Sequence, residues 1–163
     1  MRFRTIAGMI ATINLYLKHT KKLKRSIEIP DSGRTMPKKI LLIENDDETR
    51  EIMRTILEQN GYEVAIATDG VRGIDMALFI KPDVIITDIR LPGADGIHVV
   101  RRVRDTSSLA HTPILVTTPF GTGTGTFALQ LGANALEPMP IDPRSLLITV
   151  RRLLKARKSK RAA

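Results

Sequence analysis

Three short stretches of this 163-residue chain hold residue types that can do chemistry together. Glu44-Asn45-Asp46-Asp47 gathers acids directly after an apolar run, and Asp88 follows a second such run, Val84-Ile-Ile-Thr87. Thr118 closes a third, Pro113–Thr117. Carboxylates crowded on one rim are oxygen ligands for a hard divalent cation. Such a cation offsets charge on a phosphoryl group passed to a carboxylate oxygen, and a hydroxyl opposite can donate to a phosphoryl oxygen. The competing reading of Asp46 is structural: it stands where it would cap the helix that follows. The chain has no cysteine, which excludes disulfides, thiolate zinc sites and cysteine nucleophiles. His19, His98 and His111 share no metal-ligand spacing, and no Ser/His/Asp arrangement is evident.

The elements that must position these residues can be read from periodicity. Ile40–Ile43 reads as a strand buried on both faces, and Asp47–Asn60 as a helix turning Ile52, Met53, Ile56 and Leu57 to one side. A second strand over Tyr62–Ala67, a helix over Gly70–Ile80 and the strand Val84–Thr87 follow, then a helix over Ile97–Arg104. The strand Pro113–Thr117, a weak helix near Phe127–Leu131, a short strand near Ala135–Leu136 and a helix over Pro143–Lys155 complete the series. Alternation of this kind implies right-handed crossovers and a parallel sheet covered on both faces. Five units in about 115 residues suit a flavodoxin-like α/β fold, a doubly wound five-stranded sheet of order 2-1-3-4-5. In such sheets ligands sit at the carboxyl ends of the strands, where the chemistry-bearing residues fall.

Charge divides the chain into an acidic body with basic ends. Residues 1–39 carry +8, residues 40–143 carry −7 and residues 144–163 carry +8. The expected organisation is a basic N-terminal extension and linker over 1–37, a domain over 38–156 and a basic tail over 157–163. Ile6, Met9, Ile10, Ile13 and Leu17 recur at helical spacing in the extension, but the run is too short and too interrupted to span a bilayer. No cleavage site follows it, so a cytoplasmic location is expected. Met36 offers an alternative start, and Pro30–Thr35 reads as a linker. The C-terminal helix and tail carry a basic face, which is either solvated or drawn to nucleic acid, an acidic partner or anionic lipid. No aromatic residue lies there to stack on bases. Phe120–Thr126 is Gly/Thr-rich but lacks the lysine of a phosphate-binding loop, and its glycines predict a frayed helix entry.

With these motifs in place, residues 38–155 resemble the receiver domain of two-component response regulators. The resemblance rests on Ile40–Asp47, on Asp83–Gly96 with its Asp88-Ile-Arg-Leu-Pro-Gly core, on Pro113–Thr118 and on Gly132–Pro140. It implies that Asp88 accepts a phosphoryl group from a histidine kinase or phosphotransfer protein. It also implies Mg2+ held by Glu44, Asn45, Asp88 and the backbone carbonyl of Arg90, with Thr118 as the phosphoryl-oxygen donor and switch. Signalling to a separate output protein would use the fourth helix, fifth strand and fifth helix. Catalysis would go no further than the domain's own phosphorylation and dephosphorylation. By the same resemblance the Met139–Pro140 bond is a candidate cis peptide.

Four positions depart from the family pattern. Asn45 replaces an acidic metal ligand with a neutral carbonyl, which predicts weakened Mg2+ binding. Met139 replaces a lysine that would supply charge and donors to the phosphoryl oxygens. Pro119 has no N–H to offer where a main-chain donor is expected. Leu136 stands where an aromatic switch residue is common. A single oxyanion-type donor is worth roughly 3 kcal/mol, so these losses predict slow phosphorylation. The alternative reading is a phosphorylation-independent adaptor, or a nucleic-acid-associated receiver working through its basic tails.

Overall fold

In a computed structural model of the chain, residues 36–119 and 123–162 are described. The amphipathic stretch at residues 6–17, the Pro30–Thr35 linker and the first residues of the Gly/Thr stretch lie outside them. The elements run in strict alternation. β1 (Lys39–Ile43) leads to α1 (Asp47–Gln59), β2 (Glu63–Ala67) to α2 (Gly70–Ile80), and β3 (Val84–Asp88) to α3 (Gly96–Asp105). β4 (Ile114–Pro119), α4 (Gly123–Gln130), β5 (Ala135–Met139) and α5 (Pro143–Ala162) follow. All pairings are parallel, in the order β2-β1-β3-β4-β5 expected from the alternation.

Each strand is short and nearly all apolar because both of its faces are covered. Leu41, Ile43, Ile85, Ile114 and Val116 form one face and pack with Ala77, Val99, Val100, Val103 and Ala128 of α2, α3 and α4. The alternate residues Ile40, Leu42, Val84, Ile86 and Leu115 are fully buried on the other face. Their cover comes from α1 and α5, which bury Met53, Ile56, Leu57, Leu146, Leu147 and Val150.

Four helices begin on an aspartate cap. Asp46, Asp69 and Asp95 accept from the N–H groups of Thr49, Arg72 and His98 at 2.8, 2.8 and 2.7 Å, and Asp142 accepts from those of Arg144 and Ser145 at 2.7 and 3.3 Å. These caps satisfy donors that a helix start leaves open, and they fix where each loop at the carboxyl end of the sheet turns into its helix. Close approach then sets helix positions. A Cβ on Gly96 would lie 2.2 Å from the carbonyl oxygen of Asp88, and one on Gly73 would lie 2.4 Å from Ile43 Cδ1. Only glycine allows α3 to start this near the end of β3.

Arg104 ties the opposite end of the domain together. Its guanidinium donates to the carbonyls of Gly132, Ala110 and Thr112 and to Asn134 Oδ1, at 2.8 to 3.1 Å. Burial pushes its pKa below the ordinary arginine value. Asp83 is a second knot. It accepts from the Lys39 N–H at 3.0 Å and pairs with Lys38 and Arg157, both at 3.3 Å.

Three boundaries differ from the sequence expectation, each for a physical reason. β5 runs through Pro138 to Met139 because it is an edge strand, where a missing N–H leaves no ladder partner unmet. α5 continues beyond Lys155 to Ala162, and Arg157 is engaged with the start of β3. Gly123–Thr126, expected to fray, belongs to α4, and Gly125 packs close to Leu136 and Thr118.

Candidate functional site

β3 delivers Asp88 to its own carboxyl end, and β1 hands over to Glu44 immediately after its last residue. Ile43 pairs with Thr87, so Glu44 and Asp88 stand side by side one step further on, on the sheet face covered by α1 and α5. Both are almost fully buried. The Asp88 Oδ1 accepts from the Ile89 N–H at 2.8 Å, and Glu44 Oε1 accepts from the Asp46 N–H at 3.0 Å.

Burial holds the pKa of both carboxyls above the ordinary range. For Asp88, desolvation outweighs the N–H groups of Ile89 and Arg90 and the charge of Arg90. For Glu44, desolvation and the nearby charge of Asp88 outweigh the N–H of Asp46. Two buried carboxylates that disfavour each other's charge form a site in which a cation would be welcome.

Asp46 does not join them. It is exposed and caps α1, and the Thr49 N–H holds its pKa below the usual carboxylate value. Asn45 is exposed beside it. Among the described residues no group of three acids or histidines is arranged to hold a metal ion. The donor set is therefore two carboxylates with neutral oxygens, hard enough for Mg2+ but one charge short of a three-acid cluster.

Thr117 is the register partner of Asp88, and Thr118 follows it, buried, with its methyl near Gly125 of α4. The Thr118 hydroxyl donates to the Pro119 carbonyl at 3.3 Å. Pro119 pairs in register with Met139, so two of the four departures occupy the same last rung of the sheet. The Met139–Pro140 bond is cis. Leu136 is partly buried against the core cluster and fills space beside Gly125. Arg90 is exposed in the loop after β3. His98 and His111 are exposed on α3 and on the loop after it.

Sequence reasoning missed two polar residues near the site. Arg50 in α1 donates to the carbonyls of Glu44 and Asn45 at 3.2 and 3.4 Å and pairs with Asp47, clamping the loop that carries the acids. Its spacing of six residues from Glu44 was the available signal. Glu137, buried on β5 next in register to Thr117, accepts from the Thr149 hydroxyl at 3.5 Å. A lone acid between Leu136 and Pro138 gave no hint of burial.

Comparison with known proteins decides what this arrangement belongs to. The family model of the response regulator receiver domain matches residues 40–151. The chain belongs to the response regulator receiver family. It is 36% identical over 129 residues to the response regulator MprA of Mycobacterium tuberculosis strain H37Rv, covering 78% of this chain and 55% of that protein. The chain thus spans about half the length of the curated relatives it matches.

Among solved structures, a response regulator of Chloroflexus aurantiacus J-10-fl is similar at TM-score 0.71 and 31% identity, over 74% of this chain and 99% of that one. The chemotaxis response regulator CheY4 of Vibrio cholerae gives 0.68 and 30%, over 72% and 99%. The receiver domain of the sensor histidine kinase PA1611 of Pseudomonas aeruginosa PAO1, which has magnesium in its active-site cleft, gives 0.69 and 26%, over 74% and 99%. The receiver fold and its membership in two-component signalling therefore stand as expected. Among the described residues no helix is long and apolar enough to cross a membrane.

Proposed function

We propose that this receiver domain accepts a phosphoryl group on Asp88, slowly, and passes the resulting state to a partner protein. The observation that carries the reading is the pair Glu44 and Asp88, buried together at the carboxyl ends of adjacent central strands. In transfer from a phosphohistidine, the N–P bond breaks as a bond forms between phosphorus and an Asp88 carboxylate oxygen. The donor is a histidine kinase or phosphotransfer protein. Mg2+ would be held by Glu44, Asn45, Asp88 and the Arg90 carbonyl, where it supplies positive charge against the phosphoryl oxygens.

The chain's own residues do the rest. Burial keeps water from the Asp88 carboxylate and strengthens each interaction made there. Arg50 fixes the loop bearing Glu44 and Asn45, and the Thr118 hydroxyl lies one residue beyond the register partner of Asp88. Asn45, Pro119 and Met139 each subtract a charge or a donor. The output surface is α4, β5 and α5.

Intact-mass measurement after incubation with Mg2+ and acetyl phosphate tests the reading. One added phosphoryl group, absent in Asp88→Asn, is the expected result. No addition under conditions that label an ordinary receiver would leave the second reading, an adaptor that works without phosphorylation. The last rung of the sheet, Pro119 beside Met139, favours that alternative.

A further inference from the structure

α5 turns one face to the sheet and the other to solvent. Leu146, Leu147, Val150 and Leu153 turn inward and are buried, which fixes the rotation of the helix. That rotation leaves Arg144, Ile148, Arg151, Arg152 and Lys155 exposed along one line of positions i, i+4, i+7, i+8 and i+11. At 1.5 Å per residue the line is about 17 Å long.

Local energetics argue against this arrangement as a mere solvated helix face. Arg144 sits in the first turn, where the helix dipole disfavours a cation. Arg151 and Lys155 are like charges four residues apart, which is destabilising. From Pro143 to Ala162 the helix contains no acid. Among the described residues no ion pair involves Arg144, Arg151 or Arg152, which leaves their charge available to a partner.

We propose that this stripe of α5 is a docking surface for the phosphate backbone of double-stranded DNA, bound without regard to sequence. The chemistry of the stripe selects that partner. The apolar face of α5 is committed to the sheet, so the helix has nothing to insert into a lipid interface. Ile148 is the one apolar side chain on the stripe, so charge rather than apolar contact dominates it. The stripe has no aromatic residue to serve as a stacking platform for single-stranded bases. A helix face of this width meets phosphates along the wide major groove of B-form DNA, whereas the major groove of A-form RNA is too narrow to admit it.

The test is fluorescence anisotropy of a labelled DNA duplex titrated with the full chain at several salt concentrations. If three arginines meet phosphates, replacing them in R144Q/R151Q/R152Q flattens the log–log salt slope by about 2.7 and weakens binding roughly 500-fold at 0.1 M salt. The triple lysine variant, R144K/R151K/R152K, keeps the charge and should keep the slope. K21Q/K22Q/K24Q removes the same charge from the N-terminal extension and should weaken binding far less. A urea midpoint for each variant establishes that it is folded.

Four results would overturn the proposal: no binding at low salt, equal losses in the α5 and residue 21–24 variants, competition by polyglutamate as effective per charge as by DNA, or tighter binding to phosphatidylserine vesicles. The second would mean that net charge alone attracts the duplex. The third would point to an acidic protein and the fourth to a membrane. None of these outcomes depends on whether Asp88 is phosphorylated.

Discussion

The closeness of α3 to β3 predicts a graded response to adding one methyl group at three glycines. At Gly96 the added Cβ would stand 2.2 Å from the Asp88 carbonyl oxygen and 2.8 Å from Ile89 Cα, while ordinary contact begins at 3.4 Å. Relief requires about 1 Å of separation between two backbone segments, and neither can swing aside as a side chain would. That separation also stretches the 2.9 Å bond from the Gly96 N–H to the Ile89 carbonyl. Gly96→Ala should therefore destabilise the domain by about 3 kcal/mol, at the upper end of overpacking costs. For roughly 125 residues this lowers Tm by about 11 °C.

Gly61 has open space but a φ of +84°, so Gly61→Ala should cost about 1 kcal/mol through backbone strain alone. Gly123 begins α4 with nothing within 4 Å, and Gly123→Ala should stay within about 0.5 kcal/mol of the parent or gain slightly. Urea unfolding followed by far-UV circular dichroism gives all three values. A Gly96→Ala protein as stable as the parent, or a series ordered otherwise, would refute the close packing of α3 against β3.

Three further outcomes can be checked with similar means. Arg104→Met strands three carbonyls while relieving a buried charge, and the net loss should be about 3 kcal/mol by urea unfolding; a loss below about 1 kcal/mol would mean that water replaces the guanidinium. Glu44→Gln tests the burial of the acid pair, with urea midpoints taken from pH 4 to 7 in EDTA. Because the folded pKa of Glu44 is raised, the native state binds its proton more tightly than the unfolded one, and stability falls as pH climbs above the ordinary carboxylate value. The glutamine variant should gain on the parent over that climb and match it at low pH, and a pH-independent difference would contradict the sign. Restoring the missing groups with Asn45→Asp and Met139→Lys should raise acetyl-phosphate labelling of Asp88 at least about tenfold, read by intact mass; an unchanged rate would place the bottleneck elsewhere.

The sheet order, the course of the chain and the placing of Asp88 and Glu44 were legible because apolar runs of strand length alternate with helical periodicity. Asp46 was legible too, since an aspartate ahead of Glu48 and Glu51 marks a helix start. The local signals failed where tertiary context overrode them. Pro138 reads as the end of a strand, yet at the open edge of the sheet it breaks nothing. Arg157 reads as the beginning of a tail, and only the fold brings Asp83 within its reach. Arg104 reads as one more surface base after Arg101 and Arg102, because nothing local announces that carbonyls 6 to 28 residues away will converge on it. Glu137 is the hardest case: its partner lies on a different element, and burial of an acid runs against every compositional expectation.

The Asp83 knot has a mechanical consequence. One carboxylate holds Lys38 and the Lys39 N–H at the entry to β1, and it also holds Arg157 near the far end of α5. Tension applied across the domain through those two ends would meet this clasp before it reached the sheet. β1 lies between β2 and β3, so once the clasp yields, its two parallel ladders would be loaded in shear, many hydrogen bonds at once. α5 would instead peel from the sheet one turn at a time. The site end of the domain, where Glu44 and Asp88 sit, lies at the opposite edge of the same strands and would be sheltered from the first yield. Force would therefore detach the basic helix while the acid pair was still intact.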